Sequence, residues 1–249
     1  MSKTIVVVAL GPVQSFISQA RRTSDLYVGS VLLSHLARAG VETAEAYGGE
    51  MIFPVRVNGQ LPRSIPNRFI FTTSGDGGAI AQAVEGAIRA AWQDLAGRVY
   101  QVLARHAPDL VWRDIWQRQV DNWLELYWTV TPEQVDDYVA ALRDANQAMA
   151  ARKLVRHFHS GGEPGWKCSV CGEREVLHGP DERYPAVREY WEALRRSLKE
   201  GTLREGERLC AICTIKRLAP QAQEEVFGDV PAFPSTSSIA AASFKADLL

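Results

Sequence analysis

The spacing of apolar positions changes along the chain, and each change marks an element. Thr4–Leu10 (TIVVVAL) is β-branched and apolar on both faces, as a central strand is, and Gly11-Pro12 stops it. From Val13 to about Ala39, Phe16, Ile17, Ala20, Leu26, Tyr27, Val31, Leu32 and Leu36 recur near a helical period. This predicts a helix that Gly29-Ser30 either interrupts or lets pack closely. Met51–Val57 and Arg68–Thr72 (RFIFT) are predicted as two strands, paired as a hairpin across the turn-rich segment NGQLPRSIPN. Ala79 to about His106 is strongly helical, and a second helical piece runs from Asp109 to about Trp123. Leu124–Val130 (LELYWTV) returns to strand alternation. Thr131-Pro132-Glu133-Gln134 then offers an N-cap and a first-turn proline for a helix running to about Phe158.

Strand, helix, strand, strand, helix, strand, helix is the order of a ferredoxin-like (βαββαβ) α+β domain. Such a sheet carries helices on one face and leaves the other free for a ligand or a second domain. The pattern divides the chain into a ferredoxin-like domain over 1–160, a small helical module over 161–218, and an irregular tail over 219–249 expected to lead into further domains. Gly161-Gly162-Glu163-Pro164-Gly165 is the expected linker, and the tail holds Pro231, Pro234 and the run Ser235-Thr236-Ser237-Ser238.

The module is defined by chemistry. Cys168/Cys171 and Cys210/Cys213 form two Cys-x-x-Cys pairs and are the only cysteines in 249 residues. Each pair lets two sulfurs reach one ion from a tight turn, and two pairs complete the closed tetrahedral shell of a structural zinc. The 38 residues between the pairs (172–209) leave room for an insertion, read as helical from about Tyr184 to Lys199. Two disulfides would suit a secreted chain, but Met1-Ser2-Lys3 leads straight into the first strand without signal-peptide architecture. A redox pair would need only one Cys-x-x-Cys beside a thioredoxin-like unit. An iron–sulfur cluster stays open as the other four-thiolate site. His157, His159 and His178 are near enough in sequence to act as ligands, but four thiolates already fill the shell, so they read as surface or helix-end residues. A closed zinc shell leaves no position for water, so the site acts as a staple.

Lys plus Arg number 28 against 29 Asp plus Glu, a formal net charge of −1, so no global basic field points to nucleic acid and any RNA contact would be local. No apolar run approaches the roughly 20 residues that span a bilayer, so no membrane partner is expected and the protein is expected to be soluble and cytoplasmic. Trp112, Trp116 and Trp123, spaced with Ile115, read as core or subunit interface, with a base-stacking platform as the alternative. Arg152, Lys153, Arg156, His157 and His159 read as a solvated helix end, with an RNA backbone as the alternative. Asp136 and Asp137 read as exposed residues of a first helical turn.

The segment LGPVQSFISQARRTSDLYVGSVLLSHL (Leu10–Leu36) resembles a motif of the largest subunit of type III-B CRISPR effector complexes, the Cmr module. There a GPVQxFI turn after the first strand leads into R-x-T-x-D-L-(aromatic)-x-G-S, and Tyr27 takes the aromatic position here. The four cysteines, followed by FPSTSSIA at Phe233–Ala240, are similar to that family too, in the same order. The resemblance implies a palm/cyclase-like domain in a protein with two palms. In the family the second palm carries Gly-Gly-Asp-Asp and converts ATP into cyclic oligoadenylates when the complex binds target RNA. It implies as partners the other Cmr subunits, a second palm, ATP and, indirectly, the crRNA and its target. This chain departs from the pattern. It has no Gly-Gly-Asp-Asp, its Gly75-Asp76-Gly77-Gly78 stands before a helix, and no His-Asp pair occurs.

Two-metal nucleotidyl transfer needs clustered carboxylates to hold ions about 4 Å apart. Met1–Ser24 and Met51–Thr73 contain no Asp or Glu, and Glu50 stands alone before the predicted hairpin, so this palm is expected to be catalytically silent. Binding is a separate matter. Gly11 lets backbone amides approach phosphate, and the start of the first helix offers unpaired N–H groups. The candidate nucleotide-binding residues are Gly11, Pro12, Val13, Gln14, Ser15, Arg21 and Ser30, with ATP as the candidate ligand and Arg22 as an alternative cation. The competing reading makes Gly11-Pro12 an ordinary turn, Asp25 a helix-surface partner of Arg21 or Arg22, and Gly29-Ser30 a packing feature. Two other functions fit the residues: a stand-alone nucleotide-binding or nucleotidyl cyclase enzyme, and a zinc-dependent nucleic-acid-binding adaptor.

Overall fold

The computed structural model describes residues 3–107, 112–132, 137–155, 162–228, 233 and 239–242. Four strands, β1 (Thr4–Gly11), β2 (Glu50–Phe53), β3 (Arg68–Thr73) and β4 (Glu125–Pro132), form one sheet in the order β2-β3-β1-β4. Every pairing is antiparallel, and β1 runs along the middle with Val6 opposite Phe71 on one side and Val130 on the other. β1 is central because its residues from Ile5 to Gly11 are all buried, as its unbroken apolar run requires.

The helices are α1 (Gln14–Ser18), α2 (Thr23–Ala46), α3 (Gly77–His106), α4 (Arg113–Trp123), α5 (Tyr138–Leu154), α6 (Tyr184–Ser197), α7 (Ala211–Ala222) and α8 (Glu224–Phe227). Alternation along the strands sends Val6, Val8, Leu10, Phe69 and Phe71 to one face, where α2 and α3 cover them. That apolar cluster is continuous through Trp92, Trp116 and Trp123 into Cys168, Val176, Trp191, Ile212 and Ile215, so the cysteine-bearing segment shares one core with the sheet. Trp112, Trp116 and Trp123 are all buried, and Trp123 packs edge-on against Phe16 and at a tilt against Trp92.

The other face of the sheet is not free. Ile5, Val7, Ala9 and Ile70 meet Ala141, Ala145 and Met149, a stripe at i, i+4 and i+8 on α5. Arg68 on β3 donates to Asn146 Oδ1 across the same contact. α5 also begins later than its sequence suggests. Thr131 and Pro132 extend β4, because their partners Ile5 and Thr4 continue the ladder, and the helix is capped by Asp137, whose carboxylate accepts from Ala140 N–H at 2.8 Å. The expected segments at 108–111, 133–136 and 156–161, including Arg156, His157 and His159, and the tail residues 229–232, 234–238 and 243–249, including Pro231, Pro234 and the run Ser235-Thr236-Ser237-Ser238, lie outside the described residues.

Two further boundaries differ. The helix expected from Val13 breaks between Ser18 and Thr23, not at Gly29-Ser30, and continues to Ala46. Gly29 is a packing position inside α2, where an added Cβ would stand 3.2 Å from Lys216 Cδ. β2 ends at Phe53, since Pro54 has no N–H for the ladder, and Val55 and Val57 are exposed. Asp76, as its place before a helix suggested, caps α3 by accepting from Gly78 and Ala79 N–H.

Candidate functional site

The four cysteines, 38 residues apart in sequence as two pairs, converge. Their sulfurs all lie within 4.8 Å of one another, and Cys171 and Cys210 are 3.8 Å apart. A tetrahedral ion with sulfur at about 2.3 Å needs sulfur–sulfur edges of about 3.8 Å, so the set fits a metal ion. Local backbone makes each half. In the first, Gly172 N–H closes the turn on Cys168 O at 2.9 Å with Gly172 at φ +70°, where a side chain would be strained. Val170 N–H also points at Cys168 Sγ. In the second, Cys210 caps α7 and its sulfur accepts from Cys213 N–H at 3.4 Å. A hydrogen bond from Cys168 pushes the Cys171 thiol down, whereas burial pushes Cys210 up. Metal binding deprotonates all four.

Among the described residues these cysteines are the one group of three or more His, Cys, Asp or Glu able to hold an ion. His178 is not in it. It is buried rather than at a surface, hydrogen-bonded through Nδ1 to Gly179 O at 2.6 Å, with Nε2 3.7 Å from Glu175.

Beside the sulfurs lies a polar layer that locks the cysteine segment to the sheet domain. Gln119 on α4, 2% exposed, accepts from Ala211 N–H at 2.8 Å and donates to Glu175 O and Glu163. Arg217 on α7 donates to both oxygens of Asp25 at 2.9 Å and to both of Glu207 at 2.7 and 3.2 Å. Arg22 completes the set with Glu207 at 3.1 Å and Gly201 O at 2.5 Å. Two guanidinium groups thus face two carboxylates, which offsets the desolvation of each. Burial alone would raise Glu207, but its bonds from Arg217 outweigh that and hold it below the ordinary glutamate range. The side chain that pairs with Asp25 is therefore that of Arg217, and neither the Arg21 nor the Arg22 guanidinium bonds to it. The expected side-chain pairing fails because Asp25 faces inward at 4% exposure while Arg21 faces solvent and Arg22 turns to Glu207.

Lys216 is the second buried cation, 2% exposed. Its ammonium donates to Phe16 O at 2.5 Å and Gln19 O at 2.6 Å and lies 4.5 Å from the Phe16 ring centre. Burial pulls its pKa below the usual lysine range, against the negative charge of Asp25 and of the cysteines as thiolates, which favours the ammonium.

The candidate nucleotide residues are divided by this arrangement. Gly11 ends β1 opposite Glu125, and an added Cβ there would stand 3.2 Å from Glu125 Oε2. Glu125, itself bonded to Tyr127 O–H, was missed in the sequence because only strand pairing brings it to Gly11. A carboxylate at this place disfavours a bare phosphate on Gly11 and favours one that carries a cation. Pro12 and Val13 are half-buried, Gln14, Ser15, Arg21 and Ser30 are exposed, and α1 is only five residues long with no side-chain cap at Val13. Phe233 of the tail packs on Tyr27, ring centres 5.5 Å apart.

Residues 5–97 match the family model for CRISPR-associated protein Cmr2, N-terminal, and the Leu10–Leu36 segment that carries the sequence resemblance falls inside that match. A type III-B Cmr-beta cryo-EM structure in the apo state resembles the chain with a TM-score of 0.62 at 18% identity, over 99% of this chain and 36% of that one. A second, bound to cognate target RNA, gives 0.61 at 18% identity, over 99% and 37%. The chain therefore spans little more than a third of the solved chains it matches. No curated protein matches it. No described helix is long and apolar enough to cross a membrane.

Proposed function

We propose that this chain, which carries a Cmr2 N-terminal region over residues 5–97, serves as the N-terminal palm and zinc module of the large subunit of an RNA-guided type III-B Cmr antiviral complex. The family match is the observation that carries this reading. The strand order β2-β3-β1-β4 with all pairs antiparallel supports a ferredoxin-like palm. The sulfur geometry supports zinc as the resident ion, held by Cys168, Cys171, Cys210 and Cys213 as a folding staple.

In this role the chain contributes to assembly and to one side of an ATP site, through Gly11, Pro12, Val13, Gln14, Ser15, Arg21 and Ser30. The carboxylates for cyclic oligoadenylate synthesis come from a second palm. Glu125 beside Gly11 is suited to a magnesium-bearing nucleotide.

Labelled ATP with Mg²⁺ or Mn²⁺ tests the division of labour. The isolated chain is expected to give no cyclic product, and a mixture with a second palm and the other Cmr subunits bound to target RNA to give product that Gln14→Ala with Ser15→Ala diminishes. Turnover by the isolated chain would overturn the reading in favour of a stand-alone cyclase.

A further inference from the structure

The cysteine cluster and the turn between α1 and α2 are separate features of the sequence, yet both halves of the cluster grip that turn. From the first pair, Glu173 accepts from Gln19 Nε2 at 2.7 Å and Arg174 reaches Gln19 Oε1 at 3.5 Å. From the second, Lys216 follows Cys213 by three residues and donates to Phe16 O and Gln19 O. Arg217 holds Asp25, whose Oδ2 also accepts Arg21 N–H at 3.4 Å.

The turn needs these partners. α1 has five residues, too few to be stable alone, and its last carbonyls have no further helical turn to bond them. A buried ammonium on two of those carbonyls replaces the missing turn as a C-terminal cation cap. Both sets of partners stand close in sequence to the cysteines, Glu173 and Arg174 two and three residues after Cys171 and Lys216 and Arg217 three and four after Cys213 on α7.

We propose that Lys216 and Arg217 are positioning residues that make the conformation of residues 13–22 depend on metal loading of the four cysteines. The metal thereby sets where Gln14, Ser15 and Arg21 stand, and the metal site becomes a condition for ligand binding at the turn. The part concerning ligand binding rests on the nucleotide reading above. The part concerning the turn does not.

Amide hydrogen exchange on the zinc-loaded chain tests the inference, with Lys216→Met as the variant. This side chain keeps much of the length and loses the charge. The expected result is one zinc per chain as in the wild type, exchange at least tenfold faster at Ile17, Gln19 and Arg21, unchanged exchange in α3, and weaker binding of magnesium ATP. Unchanged exchange at the turn with metal retained overturns the proposal. For a variant that does not fold, stepwise chelation of the wild type replaces it. Loss of protection at 13–22 before α3 supports the coupling, and simultaneous loss of both, or loss in 172–209 alone, overturns it. A wild type that shows the coupled turn but never binds ATP removes the nucleotide reading and leaves the positioning role standing.

Discussion

At the level of single residues, the chemistry of the four cysteines was legible because each pair is local. Four residues of sequence set two sulfurs, and the turn around Gly172 follows. Cys210→Ser is expected to abolish stoichiometric zinc and to lower stability by about 4 kcal/mol or more, as metal loss commonly does, read by metal analysis and denaturant unfolding. The partners of Asp25, Gln119 and Lys216 were not legible, because they stand 192, 92 and 200 residues away and no periodicity encodes such a distance. Arg217→Met leaves two buried carboxylates facing one guanidinium. Its expected cost is about 3–5 kcal/mol in urea unfolding, with zinc content monitored in parallel. His35 supplies a pH effect. Burial lowers its pKa below the ordinary 6.5, while Asp94, Glu42 and Glu225 raise it and Arg38 lowers it. The unfolded chain therefore binds that proton more readily, so stability is full above pH 6.5 and declines as pH falls through the folded value. His35→Gln is expected to flatten the decline between about pH 7 and pH 5 in a series of denaturation midpoints.

Elements with strong periodicity were found where the sequence put them. β1, β3, α3 and α6 are examples, α6 running Tyr184–Ser197 with Val187, Trp191 and Leu194 inward. Boundaries moved where two rules competed. Thr131-Pro132 reads as a helix start, but the ladder to Thr4 and Ile5 extends β4 through it and Asp137 takes the cap. α5 itself carries an inward stripe of only Ala141, Ala145 and Met149, too weak in the sequence to show that it covers the second face of the sheet. Contact between α2 and α3 is equally tight and equally silent in the sequence. A Cβ at Gly40 would stand 2.7 Å from Ile88 Cδ1 and 2.8 Å from Phe69 Cζ. Gly40→Ala is expected to cost about 1–3 kcal/mol by overpacking, despite alanine's better helix propensity, and thermal unfolding would measure it.

Across the whole molecule, the expected division at residue 160 has a physical test. The apolar cluster under the sheet runs into α7, where Ile212, Ile215 and Leu218 are each at most 1% exposed. A chain ending at residue 162 would uncover Trp116, Trp123 and the sides of α2 and α3 that α7 packs on. It is expected to bind a hydrophobic dye and to unfold without a sharp transition, while a sharp, independent transition would establish a domain that folds by itself.

The reach of Lys216 back to Phe16, over 200 residues, also has a meaning during translation. Ribosomes add about 5–20 residues per second, so the turn after the first strand waits about 10–40 seconds for the lysine that completes it. During that interval the nascent chain exposes Phe16 and the buried face of α2, which makes this stretch the expected site for a chaperone on the ribosome.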